Sequence, residues 1–152
     1  MKKIVFNKIG KSVLIGTIAF ILCVLQCYIA MKQFANNPSA DCLDCPFLEE
    51  VVFWSIPIFV LLLPIAYFVF SKSKTTSRVM LAFLIIGYIA FCAFWTNHTI
   101  FIVREAAWST YSFSEQLHCV LIVKGWTILL SAIAFYYLVW LIKNKISKIN
   151  SQ

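Results

Sequence analysis

Cys42 and Cys45 stand two residues apart in the stretch "SADCLDCPFLEE", residues 39–50, beside Asp41, Asp44, Glu49, Glu50 and Pro46. A C-x-x-C pair has three chemical uses. It closes into a disulfide, it exchanges electrons with another thiol, or it supplies half of a zinc site. Cys119 is the third cysteine outside the long apolar runs. A crosslink from Cys42 or Cys45 to Cys119 is therefore an alternative to closure within the pair, and geometry rather than spacing decides between them. Either way one of the three is left over, which suggests exchange or an intermolecular partner.

The local sequence bears on reactivity. Pro46 suits the first position of a helix, which makes Cys45 its N-cap. A helix N-terminus favours a thiolate, whereas the four neighbouring carboxylates disfavour one. "SFSE", residues 112–115, reads as a capping box that starts a helix at about Phe113. Cys119 then falls in the second turn, beyond most of the dipole's effect, as a resolving or structural partner. For zinc, the second ligand pair would be His118 and Cys119, adjacent on a helix and pointing ~100° apart, so no metal is assigned. Cys23 and Cys27, spaced i, i+4, and Cys92 lie inside apolar runs and read as small packing residues.

The elements that position these residues follow from composition. Of the 152 residues 62% are hydrophobic and 12% charged, with a mean hydropathy of +0.88. A soluble domain is about half apolar and a quarter charged, so this is an integral membrane protein. A span needs ~20 apolar residues, and four stretches qualify, at about 13–31, 51–70, 79–103 and 120–142. Backbone crossing lipid must satisfy itself internally. The expected fold is all-α, a single four-transmembrane-helix bundle over 1–152 with outer loops 32–50 and 104–119. A rival reading takes 1–31 as a cleaved signal peptide. Signal h-regions run ~7–15 residues, shorter than this uncharged stretch.

Charge sets the expected orientation. Lys2, Lys3, Lys8, Lys11, Lys72, Lys74, Arg78, Lys143, Lys145 and Lys148 share three segments that contain no acid. All six acids fall on the other side of the expected membrane, with Lys32, Arg104 and Lys124. Basic short loops stay cytoplasmic, so both termini face in (N-in/C-in) and the thiols face out. The net charge of +7 then reflects a basic face beside anionic lipid, and no nucleic-acid partner is needed. Trp54, Trp95, Trp126 and Trp140 fall near span ends, as an aromatic belt requires.

Several residues inside the spans combine a structural reading with a functional one. Pro57 and Pro64 share one helix face and read as kinks. Gly16 and Ala19 suit close helix packing. Lys124 lies roughly 6 Å past the start of the fourth span. It snorkels outward, or pairs with Glu49 or Glu50, or binds a head group. His98 and His118 read as interfacial polar anchors.

With four spans, both termini inside and a C-x-x-C at the outer end of the second span, the chain resembles the DsbB family of bacterial inner-membrane proteins. The resemblance implies passage of electrons from a periplasmic thiol protein to a membrane quinone, with Cys42 and Cys45 matching the pair that reduces quinone. The chain departs from the family in two places. Cys119 stands alone in the second outer loop, where the family has a second pair. "CPFLEEVV" lacks the arginine that follows the family's C-x-x-C. The alternative class is a non-catalytic membrane binding protein, either an immunity protein against a pore-forming toxin or a regulator of a larger membrane complex. There the outer disulfide is structural and "REAAWSTYSFSEQ" is a recognition surface.

Overall fold

The computed structural model describes residues 2–57, 60 and 78–149. Every regular element among them is helical. Helix α1 runs Lys2–Met31, α2 covers 47–57, α3 runs Arg78–Arg104, α4 is the short Phe113–Leu117, and α5 runs Gly125–Ile149. Single 3₁₀ turns at Lys32–Phe34 and Ala106–Trp108 end α1 and α3. Most of the expected second span, with Pro64, Lys72 and Lys74, lies outside the described residues.

Among the described residues, two helices are long and apolar enough to cross a membrane, over Val13–Phe34 and Ile85–Trp108. A third exists if Phe113–Val123 and Gly125–Leu141, bent by 50°, count as one span. The bend has a local cause. The turns after α4 widen so that Lys124 N–H reaches the Cys119 carbonyl, five residues back, at 3.2 Å. Such a bulge followed by glycine, here Gly125, is a standard origin of a sharp helix kink. The sequence pattern suggests one continuous span there. Apolar periodicity does not register a bulge, because the residues on both sides of it are equally greasy.

Helices α1, α3 and α5 pack on one another. Their shared core is built from Ile15, Ala19, Cys23, Ile89, Ala93, Ile100, Ile128, Ala132 and Phe135. Small residues at the seam, Ala19, Ala93 and Ala132, let the helix axes approach. Gly16 is buried beside Ala19, as its spacing suggests. The opposite faces carry exposed Leu14, Ile21, Leu25, Phe91, Trp95, Leu129, Leu130 and Ile133. Helices apolar on both faces are what a lipid solvent selects.

One polar bridge crosses this core. Asn97 Nδ2 donates to Gln26 Oε1 at 2.9 Å, and Gln26 Nε2 donates to Thr127 Oγ1 at 2.9 Å. Each of α1, α3 and α5 thus contributes one group. Thr127 Oγ1 donates in turn to the Lys124 carbonyl at 2.7 Å, tying the bridge to the bend. Asn97 also gives a proton to the Ala93 carbonyl, while its own Oδ1 has no partner among the described residues. In lipid such interhelical bonds are each worth about 0.6–1.7 kcal/mol. They fix the relative rotation of three helices that apolar packing alone leaves underdetermined.

Candidate functional site at the loop before helix α2

Residues 35–46 lead from the end of α1 to the start of α2, and the end of α3 holds them in place. Ala40 N–H donates to the Val103 carbonyl at 2.7 Å. Asn37 Nδ2 donates to Glu105 Oε2 at 2.7 Å, and Trp108 Nε1 donates to the Pro38 carbonyl at 2.8 Å. Val103, Glu105 and Trp108 are close neighbours in sequence, so one short stretch of chain anchors three points of the loop. Beyond it, the Tyr111 hydroxyl lies 3.5 Å from Glu105 Oε1. That carboxylate pushes the phenol above its ordinary range.

Arg104 is the hub of this arrangement. Its Nη1 donates to the carbonyls of Ala35 and Asn37, both at 2.9 Å, and its Nη2 donates to the Cys45 carbonyl at 2.9 Å. Its Nε donates to Glu50 Oε2 at 2.5 Å, and the Phe47 ring lies 5.1 Å from the guanidinium carbon. Glu50 Oε1 accepts from Ser39 Oγ. Arg104 is 2% exposed and Glu50 7%, so both charges are out of water. Buried ions survive only when paired and hydrogen-bonded. The planar, multi-donor guanidinium meets four acceptors at once, which a lysine cannot.

Within this frame Cys42 and Cys45 are joined as a disulfide, with Cα atoms 5.4 Å apart. Cys45 N–H donates to the Cys42 carbonyl at 3.2 Å, which closes the turn. Cys42 is exposed and Cys45 half-buried. Asp41, Asp44 and Glu49 are exposed around them, with Leu43 and Leu48. Glu50 N–H donates to the Pro46 carbonyl at 3.3 Å. Pro46 is therefore the N-cap of α2, and Cys45 lies one residue outside the position its sequence suggests. The shift arises because the Cys45 carbonyl faces Arg104 and is not the first helical acceptor.

Cys119 keeps a free thiol, half-buried against the core on the turn that follows α4. The structure joins Cys42 and Cys45 and leaves Cys119 apart. The capping box that positions its helix is present as expected, with Ser112 N–H donating to Glu115 Oε2 at 2.7 Å and Ser112 Oγ accepting from Glu115 N–H. Cys23, Cys27 and Cys92 are free and buried. Among the described residues no three His, Cys, Asp or Glu side chains converge as a metal site.

One pairing differs from the sequence reading, which offers Glu49 or Glu50 as partner in one of three uses of Lys124. Glu50 pairs with Arg104 and not with Lys124, whose Nζ instead donates to Gln33 Oε1 at 3.0 Å. A signal for the true pair is present. Of Lys32, Arg104 and Lys124, Arg104 is the arginine, and its fork suits a desolvated carboxylate at the start of a neighbouring helix. Comparison of this chain with protein-family models, with curated proteins and with solved structures finds no match.

Proposed function

We propose that the chain is a four-span inner-membrane protein with both termini in the cytoplasm, and that it exchanges thiols and disulfides at its outer face through Cys42 and Cys45. The observation that carries this reading is the exposed Cys42–Cys45 bond on a loop that is already held by hydrogen bonds to α3. A crosslink with a sequence separation of 3 constrains little of an unfolded chain, about 2 kcal/mol in the loop-entropy account. The Arg104 network supplies the rigidity without it. A bond that adds little to stability yet is exposed to incoming thiols is suited to chemistry.

A thiolate of a periplasmic dithiol protein attacks the exposed Cys42 sulfur, the Cys42–Cys45 bond breaks, and Cys45 leaves as thiolate. The partner's second thiol then attacks the mixed disulfide, which releases Cys42. The partner ends oxidised by two electrons, and this chain holds two thiols after proton uptake. The acceptor that restores the disulfide is a membrane quinone in this reading, and the described residues include a group that fits one. Among the described residues His98 Nε2 is buried without a partner, its ring stacked 5.6 Å from Phe94, edge-on to Phe113 at 6.2 Å and beside the Gln116 side chain. A ring nitrogen able to donate to a quinone carbonyl, between aromatic rings, is a fitting cradle. The quinone supplies a two-electron, two-proton acceptor when bound.

One observation favours the binding-protein alternative. Trp108 and Phe113 are more than half exposed on the outer surface, as an aromatic recognition patch would be. Trapping of thiols in cells separates the two. Acid-quenched membranes are treated with a maleimide mass tag, with and without prior reduction, in wild type and in Cys42→Ser, Cys45→Ser and Cys119→Ser. Exchange predicts a mixture of redox forms, and a mixed disulfide with a second protein when Cys45 is Ser. A pair that stays fully oxidised whatever the quinone supply, with both serine variants functional, refutes exchange and favours binding.

A further inference from the structure

Arg104 touches the redox loop before, at and after the cysteine pair. Its Nη1 bonds are to Ala35 and Asn37, its Nη2 bond is to Cys45 itself, and its ion pair is to Glu50 in the first turn of α2. The preceding helix residue, Val103, receives the Ala40 N–H two residues before Cys42. Both flanks of the C-x-x-C are thus tied to two consecutive residues of α3. By contrast, the pair's own local hydrogen bond is a single 3.2 Å contact from Cys45 N–H to the Cys42 carbonyl. None of the tethers to Val103 and Arg104 involves a sulfur atom, so all can persist when the disulfide opens.

We propose that the Arg104–Glu50 pair is a positioning device that sets the reduction potential of Cys42–Cys45 by holding the opened thiols within closing distance. The inference rests on the exchange reading for its use, and its physical content stands apart from it. Two thiols on a tethered turn have a high effective concentration toward one another, and closing them orders little further chain. Loosening the tether lowers that concentration and leaves the reduced state more favourable. Glu50 acts through Arg104. Without its carboxylate the guanidinium loses its ionic partner, and Ser39 Oγ loses its acceptor.

The test is redox equilibration of the full-length protein in nanodiscs. Reduced and oxidised dithiothreitol are the probe: the reagent's two thiols become its cyclic disulfide as Cys42–Cys45 gains two electrons and two protons. The reduced fraction is read by maleimide mass tagging in a Cys119→Ser background. Arg104→Lys keeps the charge opposite Glu50 and cannot serve all four acceptors. It is expected to shift the equilibrium toward the dithiol by about tenfold, a change of about 30 mV for a two-electron couple. Glu50→Gln is expected to shift it in the same direction by less.

Ala40→Pro removes the N–H given to Val103 and leaves Arg104 in place. It keeps the test decisive if Arg104→Lys fails to fold, and the same direction of shift is expected. A potential unchanged within twofold in equilibrium constant, in a variant whose buried cysteines remain protected, overturns the proposal, as does a shift toward the disulfide. A purely structural Arg104 would lower the melting temperature and leave the potential where it was. Failure of the exchange reading is seen elsewhere, in cells whose Cys42–Cys45 pair never changes state. The dithiothreitol equilibrium decides the positioning role in either case.

Discussion

Glu50→Ala is the perturbation whose cost the structure lets one work out most fully. It removes the ionic partner of an arginine that is 2% exposed, and it removes the acceptor of Ser39 Oγ. Breaking a buried pair on one side costs about 3–5 kcal/mol, because the remaining charge is stranded. Here the stranding is partial. Arg104 retains the carbonyls of Ala35, Asn37 and Cys45, and the shortened side chain leaves room for a water near the outer surface. The lower end of that range, about 3 kcal/mol, is therefore expected. For a chain of this size each kcal/mol moves Tm by about 2–4 °C, so Tm should fall by about 6–12 °C.

The assay uses thiols already in the core. Cys23, Cys27 and Cys92 are buried and free, so a maleimide fluorophore reports unfolding as they become accessible, in a Cys119→Ser background. The companion variant, Glu50→Leu with Arg104→Met, removes both charges. Apolar replacement of a buried pair is often neutral. Here it should recover only part of the loss, since three loop carbonyls lose their donor. A Tm within 2 °C of wild type for Glu50→Ala would refute the claim that this ion pair holds the loop. Full recovery by the double apolar variant would refute the claim that the carbonyl contacts matter.

Asn97→Leu should cost no more than about 1 kcal/mol, because it removes an unpartnered Oδ1 along with the bond to Gln26. A double-mutant cycle with Gln26→Met, read by the same thiol exposure, should give a coupling of about 0.6–1.7 kcal/mol, and zero coupling would dismiss the bridge. Lys124→Met should leave Tm within about 4 °C, since its hydrogen bond to Gln33 is exposed and such contacts are worth ~1 kcal/mol or less. Asp41, Asp44 and Glu49 surround the exposed disulfide, so cationic cysteamine should reduce it faster than anionic glutathione at low salt. The difference should shrink as ionic strength rises, and equal rates at low salt would remove the electrostatic argument. Replacing Cys42 and Cys45 together by Ser should lower Tm by no more than about 4–8 °C, read by the same thiol exposure, since the four-residue ring adds about 2 kcal/mol.

Composition and periodicity alone determine that this chain is helical, with apolar runs long enough to cross a membrane. Apolar runs as long as Val13–Met31 and Val79–Val103 have few other structures open to them in lipid. The capping box at Ser112–Glu115 is equally legible, because a cap is a contact between residues three apart. The bend at Lys124 is not, since a widened turn depends on backbone bonding that side-chain hydropathy does not encode. The Gln26–Asn97–Thr127 bridge and the Arg104 hub are hidden for a different reason. Each joins groups separated by tens of residues, 54 in the case of Arg104 and Glu50, and one-dimensional spacing carries no distance between them. The same holds for the choice among Cys42, Cys45 and Cys119. Spacing allows Cys42 to close on Cys45 or on Cys119, and only the placement of residues 35–46 against the end of α3 brings the first pair together.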